Sequence, residues 1–360
     1  MKIILSGGYT LGPVTPLLAI AEVIKQHHPD AKFLWIGTNT GPERTLIEAQ
    51  GIEFVTITTG KLRRYISIWN FTDIFKIIIG FFQSLKIVWK FEPDLCISAG
   101  GFVSVPVHLA AWIYNAPSWV HQQDVVTGLA NKLMFPIASI KTSALEKNKF
   151  FWLGNPVRQD ILIGDKGGAN KIFNLKPNLP VVFALGGGTG SLKVNQLIVH
   201  AIQYLDGVCQ VIHLSGKERP QELVERAVQH FDYYQVHQFF TSEMKDAYAV
   251  ADLVIARGGF GTLTEIAALC KPAILIPKPG HQEDNVAFLE KAGAVILVDE
   301  RTADGNALAH VIKDLLADDI KRKQMAIAMQ KLLPVADEKN IEEIVKKLTL
   351  RHSSVQATIK

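Results

Sequence analysis

The fold of this chain is decided by the stretch DLVIARGG at residues 252–259, an apolar strand pattern that runs directly into glycines. A close echo, DLCISAGG, occurs at 94–101. Each copy is followed by a proline-led strand pattern, from Pro117 or Pro272, and then by a polar cluster, HQQD at 121–124 or HQED at 281–284. A repeat of this length predicts one α/β domain used twice.

A second pair of matching segments opens the two halves of the chain. IILSGG at 3–8 corresponds to VVFALGGG at 181–188, and a helical pattern follows each. Short apolar strands that alternate with helices predict parallel sheets covered on both faces, here two Rossmann-like domains. Ligands of such sheets lie beyond the carboxyl ends of the strands. If the two sheets face one another, all these loops converge on one cleft.

The length of 360 residues also favours two domains, since single cores rarely organise so long a chain. The segment between Gly154 and Pro180 has loop character. We expect an N-terminal domain over 1–160, a C-terminal domain over 161–336 and a separate C-terminal segment over 337–360.

Composition excludes several classes of protein. At 48% hydrophobic and 20% charged residues the chain is neither disordered nor fibrous, and a net charge of +4 gives little support for a nucleic-acid partner. Three cysteines without CxxC spacing suggest neither disulfides nor zinc. The N-terminus lacks a signal-peptide pattern and no stretch is long and apolar enough to span a membrane, so we expect a cytoplasmic protein.

The positive charge is concentrated between Lys61 and Lys90, where six basic residues accompany one acid, Asp73, and many bulky apolar residues. Basic and aromatic residues on one helix are typical of an element that docks on an anionic membrane surface. A buried helix whose lysine stems reach the solvent would have the same composition. The pattern alone favours neither interpretation.

The glycine turns match none of the common nucleotide motifs. Residues 7–12 and 186–191 lack the GxGxxG spacing, and neither turn continues into a P-loop; the chain also contains no HExxH or GxSxG motif. Two turns that could hold phosphate remain in the C-terminal half, at 186–191 and 257–262. Glu265 follows the second turn, either as the partner of Thr262 in a capping box or as the acceptor of hydrogen bonds from a ribose diol.

Eight stretches together resemble the MurG-type glycosyltransferases over nearly the whole chain. They are residues 7–16, 100–104, 121–124, 128–132, 154–158, 186–195, 257–265 and 281–285. The resemblance implies the GT-B fold and the transfer of N-acetylglucosamine from its UDP derivative to the lipid-linked muramoyl-peptide precursor of peptidoglycan (lipid I, giving lipid II). It implies inversion at the anomeric carbon, and we expect no cofactor and no bound metal.

The resemblance also implies the binding residues of both substrates. On the donor side, Arg158 and Thr241 would lie near the uracil, Glu265 on the ribose and Gln282 at the sugar hydroxyls. The diphosphate would be surrounded by Gly188 and by the turn of Phe260, Gly261, Thr262, Leu263 and Thr264. On the acceptor side lie Thr10, Leu11, Gly12, Asp124 and Asn131. The helix over Asp337 to Leu350 would return to the N-terminal domain, with a loose tail from Arg351.

Three positions depart from the family pattern. Pro13 stands where the family has a histidine that could act as general base, Gln122 replaces a glutamate and Asp124 replaces an asparagine. Our hypothesis is that Asp124 takes the role of base, with His121 orienting it or substituting for it. The alternatives are that Asp124 only caps a turn, that the chain glycosylates a diacylglycerol or another polyprenyl lipid, or that it binds its lipid without catalysis. The implied acceptor favours a peripheral location on the cytoplasmic face of the cell membrane, reached through Lys61–Lys90.

Overall fold

The structure is a computed structural model that describes residues 1–41, 43–60, 68–146, 149–240 and 242–359; the side chains of 68–72, 74 and 351–359 lie outside the description. Two compact units divide the chain. Unit 1 comprises Met1–Arg158 and Val335–Lys360, and unit 2 comprises Gln159–Pro334. Each unit is an α/β sandwich around its own parallel sheet.

Within the described residues, unit 1 contains a seven-stranded sheet in the order β3-β2-β1-β4-β5-β6-β7. The strands are β1 (Lys2–Ser6), β2 (Lys32–Gly37), β3 (Glu53–Thr56), β4 (Leu95–Ser98), β5 (Ser118–Gln122), β6 (Ile140–Ser143) and β7 (Phe151–Trp152). Every pairing is parallel. Strand order reverses at β1 and β4, the position where parallel sheets of this type open a ligand crevice.

Helices cover both faces of this sheet. They are α1 (Thr15–His27), α2 (Glu43–Glu48), α3 (Ile68–Phe91), α4 (Ser104–Ile113), α5 (Leu129–Met134) and, from the end of the chain, α15 (Glu338–Ile359). One core joins α1 and α15 to β1 and β4, with Ile20, Ile341 and Val345 fully or almost fully buried. The other joins α3 and α4 to the opposite face through Val88 and Val107.

The C-terminal helix therefore packs against α1 in unit 1. Where the sequence predicts a loose tail from Arg351, the helix continues to Ile359. In the first turn of α1, Pro16 occupies a position that its fixed φ angle favours, and Val14 is the N-cap residue with no side-chain hydrogen bond.

Within the described part of unit 2, six parallel strands follow the order β10-β9-β8-β11-β12-β13. They are β8 (Val181–Leu185), β9 (Gln210–Leu214), β10 (Tyr234–His237), β11 (Leu253–Ala256), β12 (Ala273–Leu275) and β13 (Ile296–Leu297). The helices are α6 (Gln159–Leu162), α7 (Lys166–Ile172), α8 (Leu192–Ile202), α9 (Glu222–Val228), α10 (Met244–Val250), α11 (Phe260–Ala268), α12 (His281–Lys291), α13 (Gly305–Ala317) and α14 (Asp319–Leu332).

The repeat read from the sequence occupies equivalent places in the two sheets. The two echoing strands are β4 and β11, and each pairs with the first strand of its unit, β1 or β8. All eight residues of β4 and β11 are buried, which is why their sequences are mainly apolar rather than alternating. The predicted α/β class with two Rossmann-like parallel sheets is confirmed.

Helix α3 presents an apolar face to solvent. Phe75, Phe82 and Trp89 are 54%, 63% and 65% exposed, although Gly80, Ser84 and Val88 on the opposite side are buried. On α4, which packs against α3, Trp112 is also exposed. Residues 61–67 of the basic segment lie outside the described residues. The described helices include none that is both long enough and apolar enough to cross a bilayer.

Candidate functional site

The turn after β1 carries three of the predicted acceptor-side residues. Thr10 is exposed, and Leu11 and Gly12 are partly buried. The carbonyl oxygen of Leu11 accepts from the N–H groups of Val14 and Thr15 at 3.1 and 3.2 Å, which starts α1 directly behind the turn. Pro13 lies within this bend and has no side-chain group that could accept a proton.

A buried carboxylate that sequence analysis did not identify lies against this turn. Glu43 is fully buried, and its Oε1 accepts from the N–H and the hydroxyl of Thr38 at 2.8 and 2.6 Å. A Cβ on Gly8 would lie only 2.2 Å from the same oxygen, so a larger residue there would require the Glu43 side chain to move. The close approach of Glu43 to Gly8 thus favours a small residue at position 8, and no local pattern identifies this contact.

The second glycine turn of unit 1, after β4, lies against the first. Gly100 and Gly101 have φ angles of +106° and +88°, which favour glycine. The hydroxyl of Ser104 is within hydrogen-bond distance of the carbonyl oxygens of Ser6 and Gly100, at 2.8 and 2.9 Å. Because Ser6 ends β1, Ser104 joins the two turns. The residues that follow them, Tyr9 and Phe102, have ring centroids 5.5 Å apart.

At the end of β5, Gln122 forms hydrogen bonds that hold the loop that contains Asp124. Its buried amide donates from Nε2 to the carbonyl oxygen of Asp124 at 2.7 Å, and its Oε1 accepts from Nδ2 of Asn131 at 2.6 Å. Asn131 in turn lies beside Gly100, where a Cβ would be 3.4 Å from its Oδ1. An ionised glutamate at 122 could not donate to a carbonyl oxygen, so the hydrogen bond to Asp124 depends on the glutamine.

The two candidate catalytic residues lie in different environments. Asp124 is partly exposed, whereas His121 is fully buried. Nδ1 of His121 is 2.9 Å from Oγ1 of Thr142, and burial lowers the pKa of the imidazole to about 3. His121 is therefore neutral near pH 7 and presents no atom to solvent. This geometry suits a residue that supports β5 better than one that touches a substrate.

In unit 2, the turn after β8 has the form of an anion-binding loop. Gly187 and Gly190 have φ angles of +83° and +74°, and Gly188 is exposed between them. Cβ atoms on Gly186 and Gly190 would lie 2.3 Å from the nitrogen of Ser191 and the carbonyl oxygen of Ser215. Ser191 is the N-cap residue of α8, with its hydroxyl accepting from Val194 N–H at 3.3 Å. The turn thus opens onto a helix N-terminus.

The turn after β11 opens onto α11 in the same way. Gly259 is the N-cap residue, and the first intrahelical bond runs from Leu263 N–H to its carbonyl oxygen at 3.1 Å. The N–H groups of Phe260, Gly261 and Thr262 precede that bond and point out of the helix end. Leu263 and Thr264 differ: both are buried, and the Thr264 hydroxyl donates back to Phe260 and Gly261. Their side chains face the interior.

Glu265 is not a capping residue, so one interpretation of the sequence was wrong. Helix α11 begins two residues before Thr262, and no side chain caps it. The partly buried carboxylate of Glu265 instead accepts a hydrogen bond from the hydroxyl of Tyr248 on α10, with an oxygen–oxygen distance of 3.1 Å. Nothing in the sequence around Tyr248 marks it, because the contact depends on how α10 and α11 pack.

The polar cluster at the start of α12 borders the same turn. Gln282 is partly buried, and its Oε1 accepts from Lys278 N–H at 3.0 Å. Its Nε2 would lie 3.8 Å from a Cβ on Gly259. The buried Asn285 donates to the carbonyl oxygen of Gly258 at 3.4 Å. Unit 2 therefore brings the predicted Gly188, Phe260–Thr262, Glu265 and Gln282 to the carboxyl ends of β8, β11 and β12.

The described part of unit 2 contains neither of the two residues expected near the uracil. Arg158 is the last residue of the first segment of unit 1 and is partly buried. Thr241 lies outside the described residues. Their roles stay predictions.

Comparisons with known proteins agree over both units. Residues 3–140 match the glycosyltransferase family 28 N-terminal domain and residues 181–345 match its C-terminal domain. A relative from Clostridium botulinum is 34% identical over 97% of this chain and 99% of its own length. It is a UDP-N-acetylglucosamine--N-acetylmuramyl-(pentapeptide) pyrophosphoryl-undecaprenol N-acetylglucosamine transferase.

Two solved structures share the fold. Acinetobacter baumannii MurG has a TM-score of 0.72 at 23% identity, covering 96% of this chain and 99% of that one. The UDP-GlcNAc 2-epimerase of Neisseria meningitidis has a TM-score of 0.68 at 14% identity, covering 98% and 100%. The expected GT-B architecture is confirmed. With both domain models matched in order along one chain, the protein belongs to glycosyltransferase family 28.

Proposed function

We propose that this chain is an inverting glycosyltransferase that moves N-acetylglucosamine from UDP-N-acetylglucosamine to the C4 hydroxyl of the N-acetylmuramoyl residue of lipid I, giving lipid II for peptidoglycan synthesis. The observation that carries the proposal is the edge of unit 2, where two glycine turns lie at helix N-termini and Glu265 follows the second turn on α11. The full-length similarity to a transferase of this name supports it.

The donor's diphosphate fits the two turns. Phosphate oxygens need hydrogen-bond donors and positive potential, and the N-termini of α8 and α11 supply both. Gly188 is exposed at the first turn, so a ligand can approach the backbone there without a side chain between them. The same N–H groups would stabilise the charge that develops on UDP as it leaves.

Side chains would recognise the other parts of the donor, which are the ribose, the transferred sugar and the uracil. Glu265 is partly buried and presents carboxylate oxygens as acceptors for the 2′- and 3′-hydroxyls of the ribose. Gln282 lies beside Gly259, where its amide can meet hydroxyls of the transferred sugar. Arg158 and Thr241 would complete the uracil end.

The reaction is a single displacement. The C4 oxygen forms a bond to the anomeric carbon as the bond from that carbon to the UDP oxygen breaks. Asp124 accepts the proton of the C4 hydroxyl, which makes the oxygen a better nucleophile. Gln122 and Asn131 hold the loop that carries this carboxylate. The buried His121 acts as a positioning residue in this scheme, since its ring has no exposed atom.

The acceptor's lipid would be met at a membrane surface, with the chain peripheral on the cytoplasmic face and without a nucleic-acid partner. Phe75, Phe82 and Trp89 form an exposed apolar face on α3, and the exposed Lys76, Lys86 and Lys90 flank it. Apolar side chains can enter the headgroup region while lysines meet anionic lipid. The exposure of this face supports the docking interpretation over a buried helix.

The experiment is a UDP-release assay with UDP-N-acetylglucosamine and one of three acceptor conditions: lipid I, diacylglycerol or none. We expect release only with lipid I, together with a disaccharide product detected by mass spectrometry. Release with diacylglycerol would instead identify a transferase for another lipid. Binding of UDP-N-acetylglucosamine without release under any condition would identify a silent binding protein.

A further inference from the structure

The hydroxyl of Tyr248 donates a hydrogen bond to Oε2 of Glu265 across two helices, with an oxygen–oxygen distance of 3.1 Å. We propose that Tyr248 is a positioning residue for the donor: it holds the Glu265 carboxylate in the orientation that accepts hydrogen bonds from the ribose diol. This inference rests on the proposed function, because it concerns how the same site recognises UDP.

Tyr248 cannot turn away from this contact. Its side chain is fully buried, and its ring meets that of Phe183 on β8 edge-to-face, with centroids 5.2 Å apart and an interplanar angle of 87°. Phe183 in turn lies against Phe240 at 6.2 Å, and Phe240 against Phe173 at 5.6 Å. A fully buried aromatic ring that packs against other rings keeps one rotamer. The core of unit 2 therefore fixes the position of the Tyr248 hydroxyl.

Glu265, by contrast, has a flexible side chain. Its side chain has three rotatable bonds, it is only partly buried, and its helix start is capped by the backbone of Gly259 rather than by a carboxylate. A flexible glutamate would lose its rotational freedom each time UDP bound, which lowers affinity. The hydrogen bond from Tyr248 fixes one oxygen in advance.

The contact leaves the carboxylate able to bind a ligand. A carboxylate has about four lone-pair positions on two oxygens, and Tyr248 occupies one of them on Oε2. Accepting one hydrogen bond from Tyr248 does not by itself prevent a carboxylate from accepting others from hydroxyl groups. The structure therefore assigns to Tyr248 a share in recognising the diol, exerted through Glu265.

The test compares two ligands in two variants. Tyr248→Phe removes the hydroxyl and keeps the ring, and its matched control is Tyr234→Phe, a buried tyrosine of the same unit whose hydroxyl is 2.6 Å from Nδ1 of His213. Dissociation constants for UDP and for 2′,3′-dideoxy-UDP are measured by calorimetry. We expect Tyr248→Phe to weaken UDP about tenfold, the size of one hydrogen bond to a charged group, and to leave the dideoxy ligand unchanged. Tyr234→Phe should change neither affinity.

A merely structural role of Tyr248 would not weaken the affinity for UDP while leaving the affinity for 2′,3′-dideoxy-UDP unchanged. Equal weakening of both ligands by Tyr248→Phe, or no weakening of either, would overturn the positioning role and leave the proposed function intact. In a Glu265→Gln background, Tyr248→Phe should have little further effect on UDP; an undiminished tenfold loss there would also overturn it. Failure of the unaltered chain to bind UDP would overturn the proposed function, and the role of Tyr248 with it.

Discussion

Arg257 donates from Nε and Nη2 to the hydroxyl oxygen of Ser191, at 3.0 and 2.5 Å, and so ties the two glycine turns of unit 2 to each other. The remaining nitrogen, Nη1, donates to the carbonyl oxygen of Ile276 and to Glu300, at 2.9 and 2.6 Å. One mostly buried guanidinium thus connects the ends of β8, β11 and β12. The relative positions of the two helix N-termini that would hold a diphosphate depend on it.

Replacing Arg257 with lysine should therefore weaken the donor site. A lysine can keep the ion pair with Glu300 but cannot also make the forked contact with Ser191. We expect the KM for UDP-N-acetylglucosamine to rise about tenfold, because at least one hydrogen bond to a charged group is lost. Steady-state kinetics at saturating acceptor measure it. Arg322→Lys is the control, since Arg322 also donates to carbonyl oxygens but between α13 and α14; an equal rise there would contradict the assignment.

Asp124→Asn tests the proposed base. The amide has almost the same shape but cannot accept the proton of the C4 hydroxyl, and general bases contribute about 10²- to 10⁴-fold to rate. We expect kcat to fall at least about 100-fold, with the dissociation constant of UDP unchanged. Asp206→Asn, at an exposed site of unit 2, should leave both values unaltered. Unaltered turnover in Asp124→Asn would mean that Asp124 only shapes its loop.

The sequence predicted those parts of the molecule that local patterns encode. The apolar runs ending in glycine identified β1, β4, β8 and β11 and the turns beyond them, because a buried parallel strand followed by a tight turn leaves a clear pattern. The candidate residues on these turns followed from the resemblance. Gly188 and Gln282 lie at the expected edge of unit 2, and Asn131 lies beside Gly100 in unit 1.

The remainder depends on contacts between distant residues, which local patterns do not encode. The capping box of Thr262 and Glu265 was wrong because Gly259, three residues before Thr262, is already the N-cap residue of α11. Two contacts join residues of different elements: Glu43 approaches Gly8, and Tyr248 donates a hydrogen bond to Glu265. Only tertiary packing shows these contacts. Leu263 and Thr264 have the spacing of a ligand turn, yet α11 directs both inward.

The apolar face of α3 predicts membrane binding that can be removed without loss of the fold. Phe75, Phe82 and Trp89 are exposed, so replacing all three with serine should remove little packing. We expect co-sedimentation with phosphatidylglycerol vesicles to fall several-fold while UDP affinity stays the same. Ile320→Ser with Ile327→Ser, on the exposed face of α14, is the control. If the α3 variant unfolds instead, this face is part of the core.

Glu342 links the C-terminal helix α15 to α1 through a pH-dependent ion pair. Its Oε1 lies 3.1 Å from Nε2 of His28 and 3.1 Å from Nζ of Lys346. Burial by itself would raise the pKa of this carboxyl, but the hydrogen bond from Lys346 and the charge and hydrogen bond of His28 outweigh it and hold the pKa below 4.5. Because the folded pKa lies below the unfolded one, the ionised group stabilises the fold above about pH 4.5, and this contribution is lost as the pH falls through the folded pKa.

Glu342→Gln should therefore destabilise unit 1 at pH 7 and matter less in acid. Since Lys346 is 60% exposed, solvent screening keeps the expected loss to about 1 kcal/mol. Urea denaturation of the variant and the unaltered chain between pH 7 and pH 3.5 measures the difference in the free energy of unfolding, which should shrink below pH 4.5. Glu343→Gln, at the exposed neighbouring position, should show no such difference at either end of the range. A difference for Glu342→Gln that is constant with pH would show that its carboxylate contributes through packing rather than through its charge.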